Sequence, residues 1–76
     1  MEIKILVWEA RNRKNISLEK LAELSGVSSS TINRIETGKT SPTMDKLVKI
    51  AEALQVEVTD LFEITNNYSN SEDDNQ

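Results

Sequence analysis

The chain has no cysteine and no histidine among its 76 residues, one proline, two glycines and three aromatic residues. Without cysteine there is no disulfide, and without cysteine or histidine there is no structural zinc site, so the usual staples of a domain this small are excluded. The same absences exclude cysteine nucleophiles, serine–histidine pairs and histidine general bases. Carboxylates remain, but Glu19 and Glu23 stand four residues apart, as on a solvated helix face. An enzyme is not expected, nor is a metal or cofactor site. No apolar run approaches the roughly 18 residues that cross a membrane. The start MEIKILVWEA carries neither a basic leader nor a cleavage site, so the expected location is cytoplasmic. The length fits one domain and leaves no room for a separate ligand-sensing module.

With 37% apolar residues and no staple, compact helix-on-helix packing is the remaining route to stability. The formal net charge of −4 argues superficially against a nucleic-acid partner, but its distribution does not. Residues 11–39 hold six bases (Arg11, Arg13, Lys14, Lys20, Arg34, Lys39) and three acids (Glu19, Glu23, Glu36). Residues 1–62 carry nine of each sign, so the whole excess falls in EITNNYSNSEDDNQ at the C-terminal end. The expected organisation is one domain over 1–63 and an acidic, polar, disordered tail over 64–76. Such a tail would discourage non-specific binding or keep a small protein soluble.

Ile3, Leu6, Val7 and Ala10 recur at i, i+3, i+4 and i+7, which predicts a first helix ending at Asn15. Ser17 suits the N-cap of a second helix over Leu18–Ser25, stopped by Gly26 at positive φ. Ser28 caps a third helix over Ser29–Thr37 that buries Ile32 and Ile35 and stops at Gly38. Thr43 caps a fourth with Met44, Leu47, Val48, Ala51 and Leu54 on one face. Val56 and Val58 lead into a short fifth helix capped by Thr59, with Leu61 and Phe62 closing the core. The alternation at 56–58 is too short for a strand. The expected class is all-α, a compact five-helix bundle.

Within it, LEKLAELSGVSSSTINRIET at 18–37 has the requirements of a helix-turn-helix. Ala22 is the small residue where the second helix crosses the first, and Gly26 turns the chain just after the first helix ends. Leu21, Val27, Ile32 and Ile35 bind the pair to the core. With Arg11, Gly38–Lys39, Pro42, Leu47, Ile50–Ala51, Leu54 and Asp60–Leu61–Phe62, and above all with the run IETGKTSPTMDKLVKIAEAL, the stretch from Arg11 to Phe62 resembles the phage-repressor (Cro/Xre-like) helix-turn-helix family. The resemblance implies a lambda-repressor-like DNA-binding domain whose third helix lies in the major groove, usually as a homodimer on a two-fold-related operator. It also implies a salt bridge between Arg11 and Glu36, tying the first helix to the end of the third. One departure concerns the first residue of the second helix. Family members often carry a glutamine there that contacts the DNA backbone; here it is Leu18.

The third helix is chemically suited to such a role. Short hydroxyl side chains let its end approach a groove, asparagine can bond adenine in bidentate fashion, and arginine can do so with guanine. Ser29, Ser30, Asn33 and Arg34 are therefore candidate base contacts, with Thr31 reaching a thymine methyl or a phosphate. Ser28, Lys39 and Thr40 are candidate phosphate contacts, with Arg13 adding distant attraction. Each has a plainer reading: the serines as a cap and solvated first turn, Lys39 as an ordinary surface lysine, and Arg13 as a partner of the helix dipole. Ile5 and Trp8 fall off the first helix's apolar face. They belong either to a broad stripe under a later helix or to a protein-contact patch, such as a dimer seam. Two functions remain in view: a DNA-binding transcriptional regulator, acting on double-stranded DNA as a repressor, or a protein-interaction module such as an antitoxin or adaptor.

Overall fold

The computed structural model describes residues 1–65. Strand β1 (Glu2–Ile5) is followed by four helices, α1 (Val7–Arg13), α2 (Leu18–Ser25), α3 (Ser29–Glu36) and α4 (Met44–Leu54). A single 3-10 turn (Val58–Leu61) then leads into strand β2 (Phe62–Thr65). The two strands pair antiparallel, Ile3 opposite Ile64 and Ile5 opposite Phe62. The fold is thus mostly helical with a small two-stranded sheet, and the expectation of an all-α, five-helix bundle is corrected at both ends.

The physical reason is the same at each end. Ile3, Leu6, Val7 and Ala10 do fit a helical face, but Ile3 and Ile5 also alternate with Glu2 and Lys4, and two β-branched isoleucines suit a strand. A partner strand from the other end of the domain decides between the two periods. The helix starts only at Val7, where Leu6 supplies no side-chain cap, and the Leu6 amide donates to the Leu61 carbonyl at 2.8 Å. At the other end, Asp60 Oδ2 accepts from the Glu57 amide at 3.1 Å. The N-cap there is Glu57 and not Thr59, and Phe62 is already extended. Ile64 and Thr65, assigned by sequence to the tail, are strand residues; the remainder of that expected tail lies outside the described residues.

The interior helices start and stop on local signals. The hydroxyls of Ser17, Ser28 and Thr43 accept from the amides of Lys20, Thr31 and Lys46. Gly26 ends α2 at φ +76°, where a Cβ would meet nothing within 4 Å, so backbone conformation and not space is what requires glycine. The core consists of Val7, Ala10, Leu21, Val27, Ile32, Ile35, Leu47, Ile50, Ala51, Leu54 and Leu61. On α4 the buried stripe is Leu47, Ile50, Ala51 and Leu54, rotated from the expected one, which leaves Met44 and Val48 exposed.

Candidate nucleic-acid interface

Helix α3 has two faces of opposite character. Ile32 and Ile35 are fully buried, and helical periodicity turns Ser30, Asn33, Arg34 and Thr37 outward, where all four are exposed. Ser29 and Thr31 flank this stripe half-buried, and Ser28 is exposed at the cap. Ser28 Oγ accepts from the Thr31 amide at 3.2 Å and donates to Thr31 Oγ1 at 2.8 Å. The first turn still leaves the Ser29 and Ser30 amides without intrahelical acceptors, donors that can face an anion.

The far end of α3 is closed by the chain itself. Thr37 Oγ1 donates to the Asn33 carbonyl at 2.9 Å, and the Lys39 amide to the Arg34 carbonyl at 2.9 Å. Gly38 turns at φ +79°, which brings exposed Lys39 and Thr40 beside the helix end. A cleft of about 240 Å³ is lined by Thr31, Arg34, Thr40, Ser41, Pro42 and Lys46. Lys46, on the first turn of α4, thus joins the same side of the molecule. Arg34, Lys39 and Lys46 form no ion pair among the described residues, whereas Lys20 and Lys49 are occupied by Glu23 and Asp45 on their own helices.

The orientation of α3 is fixed by an ion pair. Arg11 Nε donates to Glu36 Oε2 at 2.8 Å and Arg11 Nη2 to Glu36 Oε1 at 3.1 Å. The remaining Arg11 bond runs from Nη1 to the Ile16 carbonyl at 3.0 Å. One guanidinium therefore ties α1 to the α1–α2 turn and to the last residue of α3. The two side chains are only 13% and 5% exposed. Hydrogen bonding to Glu36 raises the Arg11 pKa against the opposing effect of burial, so the guanidinium stays charged until strongly alkaline pH. A bidentate Arg–carboxylate pair is directional, and it orients a helix more than it adds net stability.

Of the candidate contacts, Ser28 caps α3, Ser29, Ser30, Thr31, Asn33 and Arg34 lie on it, and Lys39 and Thr40 follow its end, with Thr31, Arg34 and Thr40 lining one cleft. Two residues beyond those candidates share this side: Thr37, one turn beyond Asn33 on the exposed stripe, and Lys46. The first was legible from the wheel set by Ile32 and Ile35. The second required the fold of the 38–43 turn. Arg13 is exposed in the last turn of α1 and lines none of the clefts beside α3. Leu18, in place of the family's glutamine, is half-buried and packs against the core. Trp8 is 53% exposed, whereas Ile5 is half-buried against the core. No group of three or more His, Cys, Asp or Glu side chains is placed to hold a metal ion among the described residues, and no described helix is long and apolar enough to cross a membrane.

Two helices joined by a glycine turn, the second presenting a polar stripe and a cationic rim, define a helix-turn-helix motif. The chain belongs to the helix-turn-helix family, of Cro/Xre-like type, matching it over residues 9–61. It is 44% identical over 54 residues to the HTH-type transcriptional regulator SlrR of Bacillus subtilis, a match covering 70% of this chain and 36% of that protein. It is 34% identical over 61 residues to the cryptic phage CTXphi transcriptional repressor RstR of Vibrio cholerae, covering 80% of this chain and 54% of that one. The chain therefore spans about a third to a half of the length of these curated relatives. The fold is similar to the crystal structure of the restriction-modification controller protein C.AhdI from Aeromonas hydrophila, with a TM-score of 0.68, 34% identity and coverage of 70% of this chain and 80% of that chain.

Proposed function

We propose that this chain is a sequence-specific DNA-binding transcriptional regulator, a cytoplasmic non-enzymatic repressor that acts by occupying its operator. The observation that carries this reading is α3 itself: apolar residues anchor one face, and Ser30, Asn33, Arg34 and Thr37 stand free on the other. Set into the major groove, Asn33 would read adenine and Arg34 guanine, each bidentate pair discriminating by about 1–3 kcal/mol. Ser29, Ser30 and Thr31 let the helix end come close enough for those contacts. Phosphates on either side would be held by Ser28 and the α3 amides, and by Lys39, Thr40 and Lys46, with Arg13 contributing at longer range. Leu18 forgoes a side-chain contact at the start of α2 and leaves more of the grip to this second group.

The partner is double-stranded DNA, bound by a homodimer whose two α3 helices enter successive major grooves. Selection from random duplexes at moderate salt tests this reading. The expected product is a palindrome with half-sites about 34 Å apart. Binding driven by charge alone, with no enriched motif, would overturn it. The exposure of Trp8 beside half-buried Ile5 favours a second use of the same bundle, contact with another protein as in an adaptor or antitoxin. A pure adaptor would bind no duplex even at low salt.

A further inference from the structure

The two-stranded sheet carries an apolar face that the bundle covers only halfway. Ile5 and Phe62 form one cross-strand pair and pack against the core. Side chains two residues apart share a face, so the pair Ile3 and Ile64 continues that same side outward. Both are exposed, 66% and 56%. Exposed Met44 borders this overhang through a cleft of about 240 Å³ that it shares with Ile3, Ile5, Pro42 and Phe62. Exposed Trp8 borders it through an open cleft of about 590 Å³ lined also by Ile3, Lys4 and Ile5. Strand β1 has β2 on one side and no strand on the other among the described residues. A free edge of this kind is a template for another strand.

We infer that a second copy of this chain covers this end of the molecule, its β1 pairing antiparallel with β1 about a two-fold axis at Ile3. The charges select both the occupant and the register. Centring on Ile3 sets Glu2 opposite Lys4 of the second copy, Lys4 opposite its Glu2, and Met1 opposite its Ile5. Centring on Glu2 or on Lys4 would oppose like charges, which is destabilising. Because Lys4 already faces Glu63 across the sheet, the four-stranded product alternates Glu63, Lys4 and the second copy's Glu2 along one polar row. Its apolar face carries an unbroken row of Ile64, Ile3 and their two symmetry mates. A strand pair too small to be stable alone becomes a four-stranded sheet, and the contact is isologous, as a closed two-fold dimer requires. Its use, setting two α3 helices on two half-sites, rests on the DNA-binding reading above; the pairing itself does not.

Association is measured on the full chain by sedimentation equilibrium, with and without duplex DNA, and followed by the emission of Trp8. The expected result is a dimer whose Trp8 emission shifts on dilution. Lys4→Glu should weaken it about tenfold or more, since two opposed pairs become like-charged. Glu2→Lys combined with Lys4→Glu should recover most of it, because the swapped charges across the two-fold axis again face opposites, while residue 4 meets Glu63 as a like charge in both variants. Ile3→Asp, which sets two carboxylates against each other at the axis, should weaken it further. These side chains are exposed, so circular dichroism of each variant should match the parent chain, and Lys4→Glu and the double variant, which share the repulsion from Glu63, should differ in association and not in fold; should Ile3→Asp not fold, the charge pair decides alone. A chain that stays monomeric in both conditions overturns the inference. So does a dimer indifferent to Lys4→Glu, or a double variant no better than Lys4→Glu. Association without DNA and binding to DNA are separate readouts, so a dimer that selects no motif would count against the DNA reading and leave the pairing standing.

Discussion

The α2–α3 unit and the β1–β2 pair are held together over very different distances along the chain. Between Ser17 and Gly38 the caps, the glycine turns and the helix-closing bonds join residues within a few positions of one another. Among the described residues, the long-range ion pair of this unit is Arg11 to Glu36. The strand pair reverses this: Glu2 meets Thr65 across the whole domain. Local ties fix the shape of a helix pair cheaply in entropy, while closing a loop between chain ends costs more before any contact forms. The α2–α3 unit is therefore specified by its own segment and then oriented by one ion pair, whereas the sheet depends on the finished bundle and offers it a surface.

Loss of a core side chain from α3 should have the largest effect. Ile32 is fully buried on α3, and Ile32→Ala should cost about 2–5 kcal/mol. A domain this small commands only a few kcal/mol in all, so urea titration should show it largely unfolded. Glu36→Gln comes next. It removes the charge partner of a guanidinium that is 13% exposed, at about 1–3 kcal/mol, and loosens α3. Specific DNA affinity should fall more than non-specific affinity; unchanged operator binding together with unchanged melting would refute the orienting role. Ser28→Ala should cost about 1 kcal/mol, seen as a lower melting temperature, because the Thr31 amide loses its acceptor. Ile64→Thr should lie within about 0.5 kcal/mol, since Ile64 is exposed and threonine suits a strand. A large drop in melting temperature for this variant would mean that the strand pair supports the bundle rather than resting on it.

What could be seen in the sequence follows the same division. Ser17, Gly26, Ser28, Gly38 and Thr43 mark helix boundaries because their chemistry acts within one turn, and α2, α3 and α4 are legible to within a residue. Ile3 was ambiguous: it satisfies the helical spacing with Leu6, Val7 and Ala10 and the strand spacing with Ile5. Only β2, at the other end of the domain, settles which period applies. The closing segment failed for a related reason, since Asp60 caps Glu57 in a turn too short for an α-helix. In the site, the outward residues of α3 were legible from Ile32 and Ile35. Lys46 was not, because its approach to Arg34 and Thr40 depends on how the 38–43 turn returns the chain.

In the proposed function, α3 reads bases while its cationic surroundings hold phosphates. The most direct measurement is the ratio of affinities for the selected duplex and a random duplex, taken as a function of salt for the parent chain, Asn33→Ala and Lys39→Ala. Asn33→Ala should lower that ratio about tenfold or more while leaving the salt slope unchanged. Lys39→Ala should weaken both duplexes alike and reduce the slope by about 1. An Asn33→Ala chain that keeps the full ratio, or loses affinity equally for both duplexes, would contradict the assignment of α3 as the reading helix.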